Sequence, residues 1–224
     1  MIPIRDENPT LITPWVNYIL IAINVIVYIF MFTLGAGAEA FTLNLALIPA
    51  EVTAGLDLGD VADIFTSMFM HAGLAHIAGN MLYLWIFGDN IEEAMGHGRY
   101  LIFYLLSGIA ASLVHILTNP GSNIPTVGAS GAIAGVLGAY LILFPQSRVM
   151  TLVPLGFYLR MTMVPAIIVL GLWFVLQLFQ GLLSAGGPDV GGVAFWAHIG
   201  GFVAGVVLAK LFTRGKLVSR MPQF

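Results

Sequence analysis

Gly128-Ala129-Ser130-Gly131-Ala132-Ile133-Ala134-Gly135 stands near the head of an apolar segment that runs from about residue 126 to 144. A second segment, about 193 to 213, carries Ala197-His198-Ile199-Gly200-Gly201. An ionisable group in hydrocarbon costs about 2.5 kcal/mol or more on insertion scales when charged, so an intramembrane histidine calls for a purpose or a partner. A serine hydroxyl is such a partner. It is a poor nucleophile until a base takes its proton, and an imidazole within about 3 Å can do that near neutral pH.

The glycines show how the two segments can meet. Gly131 and Gly135 form one small-xxx-small pair, and Gly201 and Gly205 form another. Without Cβ atoms on one face, neighbouring helix backbones approach closely, which is the main packing device where lipid supplies no hydrophobic drive. His198, Gly201 and Gly205 are spaced by three and four residues and share a helix face. Counting inward from Asn123 puts Ser130 seven residues into its helix, roughly 10 Å deep at about 1.5 Å per residue. His198, nine residues after Asp189, is expected at a similar depth.

The rest of the chain is consistent with a membrane setting. With 59% apolar and 8% charged residues it lacks the polar surface to cover a water-soluble globule. Six segments reach the roughly 20 apolar residues a spanning helix needs: about 15–34, 73–91, 99–118, 126–144, 161–183 and 193–213. The expected fold is therefore all-α, a six-helix membrane bundle forming a single domain over residues 1–224. The eight basic residues are Arg5, Arg99, Arg148, Arg160, Lys210, Arg214, Lys216 and Arg220, all on one side of such a bundle. The positive-inside rule makes that side, with both termini, cytoplasmic. The opposite loops carry Glu39, Glu51, Asp57, Asp60, Asp63 and Asp189.

The first outer loop, about 35–70, has apolar patches among its acids and is expected to fold at the outer interface. Turn chemistry marks Asn119-Pro120-Gly121-Ser122-Asn123 and Gly186-Gly187-Pro188-Asp189. Arg148 to Arg160 is read as a cytoplasmic linker. The chain has no cysteine, so disulfides, thiolate nucleophiles and Cys-based metal sites are excluded.

A third polar element lies in Met70-His71-Ala72-Gly73-Leu74-Ala75-His76-Ile77-Ala78-Gly79-Asn80. His76 and Asn80 are four apart and lie one above the other on a helix face. An attacked carbonyl becomes an oxyanion, and the Asn80 amide, a His76 ring N–H and the Ser130 backbone N–H are suitable donors to it. Other readings stay open: Ser130 as a packing residue, His76 and Asn80 as interhelical bridges, or a proton path through the histidines. Zinc on His71, His76 and His198 is disfavoured, because no His-Glu-x-x-His motif exists and no carboxylate lies in the outer half of a span. His115 is read as a local hydrogen-bond partner and His97 as a solvated loop residue.

Taken together, His71, His76 and Asn80, then Gly128-Ala129-Ser130-Gly131, then Ala197-His198 with Gly201 and Gly205, resemble the rhomboid family of intramembrane serine proteases. Glu92, four residues before Gly96, fits the same pattern. The resemblance implies a Ser130–His198 dyad without an acidic third member, and an oxyanion hole at His76, Asn80 and Ser130. His71, Gly128, Gly131, Gly201 and Gly205 take supporting roles. It also implies an outward water-filled cavity and lateral substrate access near the second and fifth helices, with a small residue before the scissile bond.

The partners this implies are transmembrane protein substrates and the lipid bilayer, with no nucleic acid, no cofactor and no metal; the oligomeric state is left open. A catalytically inactive, membrane-helix-binding relative is the alternative. The short ends fit a prokaryotic cell membrane. One departure is that residues 35–70 contain neither Trp nor Arg, where many relatives carry a Trp-Arg pair.

Overall fold

The computed structural model describes residues 1–156, 158–184 and 192–214. The chain begins with strand β1 (Ile2–Asp6), and Pro14 introduces helix α1 (Trp15–Thr33). The outer loop folds into three short helices, α2 (Ala38–Leu43), α3 (Pro49–Ala54) and α4 (Leu58–Thr66). Pro49 opens α3, where a missing N–H costs nothing. Asp57 and Asp60 form a reciprocal capping box at the start of α4. Then come α5 (Leu74–Met95), α6 (His97–Thr118) and α7 (Ser130–Leu143). Strands β2 (Arg148–Leu155) and β3 (Tyr158–Pro165) follow, and α8 (Ala166–Ser184) and α9 (Phe195–Phe212) complete the described chain.

Among the described residues, α1, α6, α8 and α9 are long and apolar enough to cross a membrane. A fifth crossing is counted if residues 58–69 and α5, which meet at an 81° bend, are taken as one span. Helix α7 is shorter and lies at the centre. Every residue from Gly131 to Tyr140 is buried, which explains a sequence apolar on all sides. Its glycines admit α9: a Cβ on Gly201 would collide with the Gly131 carbonyl oxygen, and one on Gly205 with that of Gly135. A Cβ on Gly131 would come within 2.6 Å of the Ala111 Cβ on α6.

A buried carboxylate ties α1 to α5. Glu92, fully buried, accepts hydrogen bonds from the backbone N–H groups of Val16 at 3.0 Å and Asn17 at 2.7 Å. A negative charge there satisfies orphan donors and opposes the positive end of the helix dipole. Four residues after Glu92, Gly96 adopts φ +79°, which lets α5 turn into α6 through a single residue. A Cβ on Gly96 would also lie 2.5 Å from the Arg214 guanidinium carbon.

The structure corrects an all-helical reading. The linker after α7 is an antiparallel hairpin, β2 with β3, and β1 joins β2 to make a three-stranded sheet in the order β1-β2-β3. Pro3 is tolerated because β1 is an edge strand. Tyr140 on α7 donates its hydroxyl hydrogen to Asp6, which anchors the sheet to the bundle. Residues 161–165, counted by their apolarity with the fifth segment, belong to β3. The proposed turn at Gly186-Gly187-Pro188-Asp189 and the basic residues Lys216 and Arg220 lie outside the described residues.

Candidate active site

Ser130 is the first residue of α7, not a residue seven positions inside a helix. Residues 119–129 reach it as an irregular segment, held by an isolated bridge between Leu47 and Thr126 and by the Gly128 N–H donating to the Ser67 carbonyl at 2.9 Å. Gly128 takes φ +136° beside His76, whose Nε2 would be 2.8 Å from any Cβ placed there. Glycine is therefore required at that position for both backbone and space. The consequence for chemistry is that the opening N–H groups of α7, which have no intrahelical acceptor, lie beside the Ser130 hydroxyl.

His198 lies in the first turn of α9 and is buried. Its Nε2 is 2.8 Å from Ser130 Oγ. Its Nδ1 is 2.7 Å from Gln177 Oε1 on α8. An amide oxygen can only accept, so Nδ1 carries the proton and Nε2 presents a lone pair to the serine hydroxyl. The Trp173 indole packs over the imidazole, with ring centroids 5.8 Å apart and planes 33° from parallel.

His76, Asn80, Ser130, Trp173 and His198 line one cavity of about 1420 Å³. Asn80 is buried, and its side-chain Nδ2 has no hydrogen-bond acceptor among the described residues. A buried amide donor left free is costly unless water or a ligand completes it. His71 is buried behind His76, edge to ring at 5.0 Å, and does not line the cavity. Among the described residues that line the cavity there is no Asp or Glu. No group of three metal-ligating side chains occurs among the described residues.

The remaining histidines have local partners. His115 Nε2 is 2.9 Å from Thr126 Oγ1 at the cavity rim. His97 is half exposed and pairs with Glu92. The sequence reading missed Gln177. Its signal was an amide in an apolar segment, one helical turn beyond Trp173, with no motif around it.

An integral, multi-pass membrane bundle with a serine and an imidazole in hydrogen-bonding contact inside a cavity is the class that fold and site define. Comparison with known proteins narrows it. The family model of the Rhomboid domain matches residues 58–215, and the chain belongs to the rhomboid family. It is similar to Rhomboid protease GluP of Bacillus subtilis (strain 168), with 31% identity over 196 residues, 88% of this chain and 34% of that protein. It is also similar to RHOMBOID-like protein 1 of Arabidopsis thaliana, with 33% identity over 153 residues, 68% of this chain and 35% of that protein. Rhomboid protein 1, mitochondrial, of Saccharomyces cerevisiae matches at 35% identity over 94 residues, 40% of this chain and 27% of that protein. The chain thus spans about a third of the length of these curated relatives.

Proposed function

We propose that this chain is an intramembrane serine endopeptidase that hydrolyses peptide bonds in or near transmembrane segments of other membrane proteins. The observation that carries this reading is the 2.8 Å contact between Ser130 Oγ and His198 Nε2 inside the cavity. Ser130 attacks the scissile carbonyl carbon while its proton passes to His198 Nε2. The resulting oxyanion is met by the Asn80 amide, a His76 ring N–H and the N–H groups at the start of α7. Collapse breaks the C–N bond, and His198 returns the proton to the leaving amine. Water, deprotonated by the same imidazole, then hydrolyses the acyl ester and restores Ser130.

The whole chain acts as one domain of six spans, with α5 and the short α7 completing the set and both termini in the cytoplasm. The confinement of the basic residues to one side of that arrangement supports it. A prokaryotic cell membrane is the proposed location, supported by the match to a bacterial protein over 88% of this chain. Covalent labelling by a fluorophosphonate probe tests the reading. Wild type should label, and Ser130→Ala and His198→Ala should not while remaining folded. A folded wild type that does not label but still binds transmembrane helices would identify an inactive helix-binding member instead.

A further inference from the structure

Helix α8 is seated lightly on the bundle. Among its described residues only Ala166, Val169, Leu170 and Gly181 are buried, while Ile168, Leu172, Val175, Phe179 and Leu182 are exposed. Yet this helix supplies two of the side chains that hold the His198 ring. Trp173 and Gln177 are four residues apart and so share one face. The indole covers the flat of the ring, and the amide oxygen holds its edge at 2.7 Å. The same indole also reaches Phe202 on α9, with centroids 6.0 Å apart.

A neutral imidazole has two tautomers, and only the one protonated at Nδ1 offers Nε2 a lone pair for the Ser130 proton. No carboxylate is among the described residues that line the cavity, and the acceptor that selects this tautomer is the Gln177 amide. We infer that Gln177 is a positioning residue: it holds His198 in the Nδ1–H tautomer aimed at Ser130. This rests on the peptidase reading above.

The test compares wild type, Gln177→Met and Gln177→Glu in liposomes, using cleavage of a fluorescent single-span peptide. Methionine keeps the length and removes the acceptor, whereas glutamate restores an acceptor. Gln177→Met should lower kcat about 10- to 100-fold with KM nearly unchanged, a part of the roughly 10²- to 10⁴-fold that a positioned general base supplies. Gln177→Glu should recover most of that loss. The nitrogen NMR spectrum of histidine-labelled wild type should show His198 protonated at Nδ1, and Gln177→Met should show a tautomer mixture. Wild-type kcat in a folded Gln177→Met, or equal impairment in both variants, overturns the inference and leaves the peptidase reading intact. So does a wild-type spectrum with the proton on Nε2, a result that needs no variant to fold. A wild type that neither cleaves nor takes a fluorophosphonate label overturns the peptidase reading, and the inference with it.

Discussion

Gly205 has no room for a side chain, because a Cβ there would penetrate the Gly135 carbonyl oxygen on the facing helix. The same relation holds one turn earlier between Gly201 and the Gly131 carbonyl. Backbone therefore meets backbone along the α7–α9 seam, and that seam fixes how far His198 stands from Ser130. Since the obstructing atoms are main chain, no side-chain rotation can relieve an added methyl group. Gly205→Val should cost about 1–3 kcal/mol as overpacking, with a lower unfolding temperature in detergent and slower substrate cleavage. An unchanged unfolding temperature would contradict the close approach.

The oxyanion donors should be separable from the dyad. Asn80→Ala leaves the Ser130–His198 contact untouched and removes the buried, unpaired amide of a cavity-lining residue. Loss of one such donor typically lowers kcat about 10²- to 10³-fold. The expected result is a fall of that order with little change in KM. A purely structural Asn80 would instead show as lost stability with near-normal kcat in the folded fraction.

Glu92 should act on stability. Glu92→Ala strands the N–H groups of Val16 and Asn17 at the start of α1, and a buried donor without a partner costs about 1–3 kcal/mol. Limited proteolysis near Pro14 should accelerate in the variant. Equal cleavage rates in the two proteins would show that another group caps α1.

The sheet's anchor should be pH-sensitive through Asp6. Burial raises its pKa from 3.8 to about 7, opposed by the hydrogen bond from Tyr140 and reinforced by the Asp89 charge. Because the folded pKa lies above the unfolded one, the stabilisation is complete below about 3.8 and is lost as pH rises to about 7. Hydrogen exchange across β1 should therefore be faster at pH 8 than at pH 5, after correction for intrinsic rates. Asp6→Asn should flatten that dependence, and a variant with the wild-type slope would assign the effect to another group.

The parts of this protein that were legible from sequence are those where hydrocarbon makes polar groups conspicuous. Ser130, His198, His76 and Asn80 stand out because each carries a cost that needs an explanation. Gly131, Gly135, Gly201 and Gly205 stand out by spacing. Gln177 did not, since a lone glutamine facing an apolar segment has no motif, and its meaning comes only from a ring 21 residues away in sequence. The sheet was hidden for a related reason. Arg148 to Leu155 carries apolar residues on both sides of Thr151 without a period-two pattern and so reads as a linker holding Pro154, and the first strand pairs across more than half the chain, with Ile2 opposite Leu152. The count of seven helical residues before Ser130 fails because the apolar segment starts before the helix does, and residues 126–129 are irregular.

The central claim is that the Ser130 hydroxyl, activated by His198, breaks peptide bonds. The most direct measurement is cleavage of a single-span substrate by purified protein in liposomes, comparing wild type with Ser130→Ala. Wild type should yield two fragments, and folded Ser130→Ala should yield none under the same conditions. Full cleavage by Ser130→Ala would contradict the account, because the proposed nucleophile would then be dispensable.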